Sequence, residues 1–530
     1  MDKYDLATLR AKDLSGDELV MQCVCAKHMK SSLGPWLDLA RKGLLGGLHT
    51  PTWFTRADIA RLQQESPIPL FFVQNAESGA RLGDGLPGTA FPMQMALGAT
   101  GDESLAHAWG LAVGREVRWN GPNWVLGPVL DLAMEPAATC VGNRALGAAP
   151  ELVARLGTAL VRGFQEAGCL VAAKHFPGKG RASSDTHIVE RDLDVPLDVL
   201  AREEFYPYQH AIDHANLTGV MPSHLRATAL DTEDLCTASK THLDHLFGAM
   251  RFKGLAITDS VAMGAMVARY SESERLVKPI EAGNHLVLGD AWIDAEKTLG
   301  HMREAVASGR LPRAILEPRV DAILAVKRKL FLDALPPAEP DYAAHEALSQ
   351  KIAAASISEL RHDDAPAIDL SRRYFVLVVA DGQTASNEPE VQLDTSKQGE
   401  VAQAARARLG EKHLIREIPA FPPPGNIGGC LRQSLRETDR TIVLASASCG
   451  AFKGTAHLSR PVVNLLEGLA PKVDAVVTFG NPWAALDLPP VPRVVFGYRG
   501  AHTVEAAMDV LFGSSMATGA LPVPARPPGF

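Results

Sequence analysis

The sequence predicts an α/β protein built in two consecutive parts, and three observations carry that prediction. Through roughly the first 330 residues, β-type apolar runs alternate with helical stretches, the signature of a parallel α/β arrangement. The stretch Asp333-Ala-Leu-Pro-Pro-Ala-Glu-Pro-Asp341 is then a proline-rich hinge. Beyond it, the runs Phe375–Ala380, Thr441–Ala445, Ala475–Phe479 and Val494–Phe496, separated by helical segments, indicate an open α/β sandwich around a parallel sheet.

The bulk composition limits what the chain does. Its 530 residues, 46% hydrophobic and 22% charged, suit a soluble globular protein with more than one core. A net charge of −8, with Lys and Arg scattered among acids, offers no surface for nucleic acid or an anionic membrane. The first residues lack the apolar core of a secretory signal, and no run of about 18 apolar residues follows, so a cytoplasmic protein is expected. The seven cysteines (Cys23, Cys25, Cys140, Cys169, Cys236, Cys430 and Cys449) are dispersed and lack CxxC spacing. They read as reduced thiols, and no metal site is expected.

In chain order, residues 1–70 read as helical pieces broken by glycine-rich turns. Ile68–Val73 is a β-type run that ends in the polar string Gln74-Asn75-Ala76-Glu77-Ser78-Gly79. Asp102 stands where it would cap a helix. Asn123–Asp131 is a strand candidate with Asp131 at its end, more suited to supporting neighbouring loops than to chemistry. The stretch 151–167 carries Val153, Leu156, Ala159, Leu160 and Phe164 at helical spacing, a core-facing stripe. Helices are expected over 199–214 and 241–250, with strands near Thr218–His224, Phe252–Asp259 and Ile280–Gly289. A helical stretch to about Phe331 leads to the hinge.

The stretch 173–187, AKHFPGKGRASSDTH, is the chemical centre of this layout. The run Val171-Ala172-Ala173 looks like the end of a buried strand that passes into a Pro/Gly/Ser loop. That loop is read as carrying Lys174, His175, Asp185 and His187. An aspartate two residues from a histidine can fix the tautomer of the ring and tune its pKa, which suits proton transfer near neutral pH. Lys179, in the middle, reads as a solvated turn residue.

The string K-H-F-P-G-x-G-x(4)-D-[ST]-H resembles the signature of the β-N-acetylglucosaminidase branch of glycoside hydrolase family 3. The segment Phe252-Lys-Gly-Leu-Ala-Ile-Thr-Asp-Ser-Val-Ala-Met-Gly-Ala265 is similar to the family's nucleophile strand, and Gly142-Asn-Arg-Ala-Leu-Gly-Ala-Ala-Pro150 to its G-x-R-[SA]-[FL]-G-x-x-P loop. Lys42-Gly-Leu-Leu-Gly-Gly-Leu48 resembles the strand that opens the family's barrel. The likeness is strong over about 68–290 and weak after the hinge, where Gly519-Ala-Leu-Pro-Val523 looks like the closing segment.

The resemblance implies an N-terminal (β/α)8 TIM-type barrel followed by an α/β/α sandwich, with 1–335 as the catalytic barrel, 336–365 as linker and connecting helix, and 366–530 as the second domain. It also implies Asp259 as nucleophile, His187 as acid/base and Asp185 as its dyad partner. Asn75, Arg81, Arg144, Lys174, His175, His224 and Met221 are the implied substrate contacts, although a surface loop is the plain reading of Arg81 and a core position that of Met221. No metal or organic cofactor is required. Three positions depart from the family pattern: Asn75 and His285 stand where aspartates are usual, and Lys179 replaces a histidine.

The expected activity is retaining, exo-acting hydrolysis of small GlcNAc-containing saccharides such as peptidoglycan-recycling or chitin fragments. Three alternatives stand beside it. A phosphorylase would use inorganic phosphate as acceptor, since a neutral imidazole does not repel phosphate as a carboxylate would. A β-glucosidase-like member is open because Asn75 sits where hydroxyls are read, and a non-catalytic sugar-binding barrel is the reading from another class.

Overall fold

The computed structural model describes residues 4–333, 337–380, 399–447 and 457–526. Part of the hinge (334–336) and Cys449 lie outside the described residues. Eight parallel strands form the first unit: β1 (Val24–Ala26), β2 (Gly47–His49), β3 (Phe71–Gln74), β4 (Trp124–Val125), β5 (Leu170–Val171, continuing as Ala173–Phe176), β6 (Gly219–Pro222), β7 (Leu255–Ala256) and β8 (Val287–Leu288). Each pairs in parallel with the next. The ring closes where Ile257, just past β7, bridges Leu286 and β8 pairs with β1. Helices follow each strand, so this is the (β/α)8 barrel.

Local chemistry explains the elements. Strands such as Phe71-Phe72-Val73 are buried throughout because helices cover the outside of a parallel barrel and side chains fill its inside. The helix Glu103–Asn120 starts at Asp102, whose Oδ1 accepts from Ser104 N and Leu105 N, and stops at Gly121 with φ 112°. The helix Pro150–Glu166 opens on a proline at its first position and buries Val153, Leu156, Leu160 and Phe164 as its stripe predicts.

Several expectations shift. The barrel opens with Val24–Ala26, in a stretch read as helical; three residues are too short a run to stand out, and the Leu48 segment is the second strand. Lys174 and His175 lie on the strand Ala173–Phe176, not in the loop after it. The 199–214 helix is two helices, Leu197–Arg202 and Tyr206–Ala215. The 241–250 helix is an α-turn, Lys240–Asp244, that passes into a π-helical turn, His245–Ala249.

The second sheet has the order β9 (Ser358–Arg361), β14 (Arg493–Gly497), β13 (Val473–Gly480), β12 (Arg440–Ala447), β10 (Tyr374–Ala380), β11 (Leu414–Pro419). All pairs are parallel except β9 with β14. Edge strand β9 falls inside the span 336–365 read as a connector, so only the helix Tyr342–Ser356 and its flanks connect the units. Strand β11 was not expected from the sequence: its half-buried pattern, with Arg416 and Glu417 inside it, carries no apolar run. Alternate residues of the central strands face opposite layers, Phe375, Leu377 and Val443 one way and Val376, Val378 and Ile442 the other.

The two units share a core. Val129, Ala133, Ala138, Val141 and Ala145, from the segment between β4 and the next helix, pack in one cluster with Val443, Trp483, Phe496 and Val523 of the second unit. Backbone bonds seal the contact: Met93 N to Arg499 O at 2.8 Å, Ala520 N to Ala99 O at 2.8 Å and Ala148 N to Pro522 O at 2.9 Å. A buried Glu116 accepts from His345 Nδ1 at 2.6 Å and from Thr89 N at 2.8 Å, tying the connecting helix to the barrel. The second unit therefore clamps the segment that carries Asp131 and Arg144.

Candidate active site

Three polar groups gather at the C-terminal ends of the barrel strands, where such folds place their chemistry. The first centres on Glu77. Its carboxylate takes Arg144 in a two-pronged bond, Nε to Oε2 at 2.7 Å and Nη2 to Oε1 at 2.8 Å, and Lys174 Nζ at 2.7 Å. Burial alone would raise the Glu77 pKa, but Arg144 and then Lys174 outweigh it and hold the carboxyl well below the usual range. Arg144 Nη1 also donates to Cys140 O, and Lys174 donates to Asn75 Oδ1 at 2.8 Å. Asn75 itself is exposed at the mouth. The sequence string contained Glu77, yet nothing in its spacing marked it as the acid that neutralises two cations.

The second group surrounds Asp259, three residues beyond β7. Lys179 Nζ lies 2.9 Å from its Oδ2, Ser260 N donates to Oδ1 at 2.8 Å, and His175 Nε2 stands 3.8 Å from Oδ2. Asp131, fully buried, accepts from His175 Nδ1 at 2.7 Å, His175 N at 3.2 Å and Lys179 N at 2.7 Å. A carboxylate only accepts, so the Nδ1 of His175 carries the proton and its Nε2 is left as an acceptor. Burial, and then Lys179, push the His175 pKa down to about 4, which keeps the ring neutral. Burial opposes the charge on Asp259 as well, but the Lys179 ammonium overcomes it and holds this carboxyl well below the usual range.

Lys179 is therefore not a solvated turn residue. It is 1% exposed and among the largest fully buried side chains of the protein. Its loop is pressed onto the β4 segment: a Cβ at Gly180 would meet Leu132 O at 1.4 Å, and Glu135 N donates to Gly180 O at 3.0 Å. The second glycine of P-G-x-G is thus needed for close approach, which turns the intervening side chain inward. That signal was present in the sequence, but reading Lys as a surface residue obscured it.

The third group is the Asp185–His187 pair on the loop after β5. Asp185 Oδ1 accepts from both His187 N at 2.9 Å and His187 Nδ1 at 2.6 Å, fixing the tautomer and leaving Nε2 as the exchangeable nitrogen. The loop rests on the Asp259 segment, with Gly264 N donating to His187 O at 2.9 Å. A Cβ on Gly264 would meet Ile188 O at 2.4 Å and His187 O at 2.7 Å, so the M-G-A triplet exists to let these loops touch. Cys140 lies close enough that its thiol, Asp185 and His187 form a three-residue group within ligand distance of one another. Burial pushes that thiol up to about 11, so it is protonated near neutral pH.

Three expected contacts fall elsewhere. Arg81 is exposed on its loop, 3.7 Å from Asp84, outside the cluster. His224 is fully buried, with Nδ1 3.0 Å from Thr237 Oγ1 and Nε2 2.9 Å from Ser260 O, so its two ring nitrogens tie the turn after β6 to the Asp259 loop and are both engaged within the protein. Met221, on β6, is buried in the barrel core. His285, where an aspartate is usual, accepts from Ala256 N at 3.1 Å as a ring kept neutral by burial, its pKa down to about 4. That departure is accommodated on the backbone of β7.

The arrangement can hold an ionised carboxylate and a tautomer-fixed imidazole above a barrel mouth rich in sugar-type hydrogen-bonding groups. Comparison with known proteins agrees with it. The profile of the Glycosyl hydrolase family 3 N terminal domain matches residues 48–326. A "Beta-N-acetylglucosaminidase/beta-glucosidase" of Cellulomonas fimi is 27% identical over 546 aligned residues, covering 97% of this chain and 94% of its own. The solved family 3 β-N-acetylglucosaminidase of Paenibacillus sp. str. FPU-7 superposes with a TM-score of 0.83 at 27% identity, over 97% of this chain and 99% of that one. A "Beta-glucoside phosphorylase BglX bound to 2FGlc" superposes at 0.82 with 25% identity, over 97% and 95%. The chain belongs to glycosyl hydrolase family 3 and is an enzyme of the glycoside hydrolase class.

Proposed function

We propose that the protein is a retaining, exo-acting β-N-acetylglucosaminidase that works by double displacement on small GlcNAc-containing saccharides. The observation that carries this reading is the ionised, half-buried Asp259 on one loop with the Asp185–His187 pair on the adjoining loop. Asp259 attacks the anomeric carbon and becomes the glycosyl ester, while protonated His187 Nε2 delivers its proton to the leaving oxygen. In the second step the neutral ring takes a proton from the acceptor as the acceptor oxygen displaces the carboxylate. Asp185 steadies the imidazolium that forms between turnovers.

The remaining groups position the sugar. Lys174, Arg144 and Asn75, joined around Glu77, would offer donors to ring hydroxyls, and His175 Nε2 beside Asp259 would offer an acceptor. The solved Paenibacillus β-N-acetylglucosaminidase supports the N-acetylated sugar, and the name of the Cellulomonas relative carries both that activity and β-glucosidase. Phosphorolysis is the second reading, favoured by an acid/base that is an imidazole rather than a carboxylate and by the likeness to a β-glucoside phosphorylase. The six described cysteines are all free thiols, in keeping with the cytoplasmic location proposed here. No described helix is long and apolar enough to cross a membrane.

The test is turnover of the nitrophenyl β-glycosides of GlcNAc and glucose, with the first-formed product followed by proton NMR. GlcNAc-selective release of the β-anomer is expected. Release of the α-anomer would contradict double displacement, glucose selectivity would reassign the sugar, and GlcNAc 1-phosphate formed in phosphate buffer would make the enzyme a phosphorylase.

A further inference from the structure

Among the described residues, the charges of the site are paired with one exception. Arg144 and Lys174 share Glu77, and Lys179 is matched by Asp259. Lys27 has no carboxylate partner among the described residues; its Nζ stands 3.5 Å from Oγ of Ser260, the residue after Asp259. An ammonium brings three donors, so a half-buried one beside a single hydroxyl leaves donors for a ligand.

The fold places a second nitrogen beside it. Strands β1 and β2 pair in parallel, Cys25 with Gly47 and Ala26 with Leu48, so the next residues, Lys27 and His49, emerge side by side at the barrel mouth. Behind them His28 is fixed by its own neighbours, with Nδ1 3.3 Å from Met29 O and its ring edge-on to Trp53 at 5.5 Å. Lys30 continues the cationic edge, its Nζ 5.8 Å from the Trp53 ring centroid. Burial, and then Lys27, push the His49 pKa down to about 3, so the ring is neutral and has an N–H to donate. This corner is hidden in the sequence, because the three buried residues of β1 leave no periodic signal.

We propose that Lys27 and His49 form an anion subsite beside the nucleophile, which takes the phosphate or carboxylate group of a reactant. The proposal rests on the glycosidase reading and names a chemistry for its acceptor or substrate. If the anion is free phosphate, a phosphate oxygen bonds to the anomeric carbon as the Asp259 ester bond breaks. The phosphate proton passes to His187 Nε2, and sugar 1-phosphate leaves. If the anion is an acid group on the saccharide, the subsite only anchors it, and water is the acceptor.

The experiment compares wild type, Lys27→Gln and Lys27→Arg on nitrophenyl β-GlcNAc with titrated inorganic phosphate, and on a GlcNAc disaccharide whose reducing sugar bears a carboxylate or the matching amide. Free phosphate as the ligand predicts faster turnover with sugar 1-phosphate in wild type, a half-saturating phosphate roughly tenfold higher in Lys27→Gln, and recovery in Lys27→Arg. A substrate acid as the ligand predicts no phosphate effect but a preference for carboxylate over amide that Lys27→Gln loses and Lys27→Arg keeps. If neither anion alters wild-type turnover, or if Lys27→Gln responds as wild type does, the subsite is overturned while the glycosidase reading stands. If no glycoside is turned over, that reading falls, and calorimetry decides the subsite alone: phosphate binding that Lys27→Gln weakens retains it, and absence of phosphate binding overturns it.

Discussion

The two sides of the reaction centre are built differently. On the Asp259 side the carboxylate is matched by a buried cation: the Asp259 side chain, 14% exposed, meets Lys179, 1% exposed, and Asp131 holds both His175 and the Lys179 backbone. On the His187 side the Asp185 carboxylate orients the ring, on a loop that touches the Asp259 segment through backbone at a glycine. A nucleophile must stay charged throughout its pH range, which close pairing secures. An acid/base must gain and lose a proton every cycle, which a permanent neighbouring cation would prevent.

Substitutions on each side should therefore fail in different ways. Asp259→Asn is expected to have the largest effect, a loss of about 10⁴-fold or more in kcat for the nitrophenyl glycoside, because the covalent step disappears. Residual turnover within about tenfold of wild type would remove Asp259 from the nucleophile role.

His187→Asn should cost roughly 10²- to 10⁴-fold on substrates with poor leaving groups, and far less for the first step with activated aryl glycosides, which need little protonation. An equal loss across a leaving-group series would mean that His187 does not act as the acid. Lys179→Met should lower activity less and instead move the acid limb of kcat/KM. The carboxyl of Asp259 is held below its ordinary value of about 4. The stability and activity this supplies are present above the ordinary pKa and are lost as pH falls through the depressed one. Without the ammonium the Asp259 pKa rises, so the acid limb moves to higher pH, and Lys179→Arg should restore part of the shift. An unmoved limb would separate Lys179 from the charge state of the nucleophile.

Gly264→Ala tests the contact between the two sides. The added methyl would collide with the carbonyls of His187 and Ile188, so the dyad loop must retreat. A destabilisation of about 1–3 kcal/mol by denaturant titration is expected, with a fall in kcat larger than any change in KM. Arg81→Ala should have the smallest effect, within about threefold in kcat/KM, since that side chain is 66% exposed and outside the cluster.

How far the sequence could be read follows from the same contrast. The dyad spacing and the Ile-Thr-Asp-Ser segment are local patterns, and the structure places those residues together at the barrel mouth. The pairing of Glu77 with Lys174 and Arg144 joins β3, β5 and the loop after β4, which no local spacing records. Lys179 was misread because composition favours lysine at the surface, whereas Gly180 and Asp131 turn this one inward. Strand β1 was missed because three buried residues between helices leave no periodicity to detect, and Lys27 and His49 went with it. The second sheet was legible where strands are apolar through and through, as in Tyr374–Ala380, and illegible at edge strands with charged residues such as Leu414–Pro419.

In the proposed mechanism Asp259 forms the covalent intermediate while His187 shuttles the proton. It is tested most directly by trapping: incubation with 5-fluoro-β-GlcNAc fluoride, followed by peptide mass spectrometry of wild type and His187→Asn. One sugar adduct per chain is expected on the peptide containing Asp259, in both proteins, since fluoride leaves without an acid. A label on any other residue, or turnover with no adduct and inverted product, would contradict it.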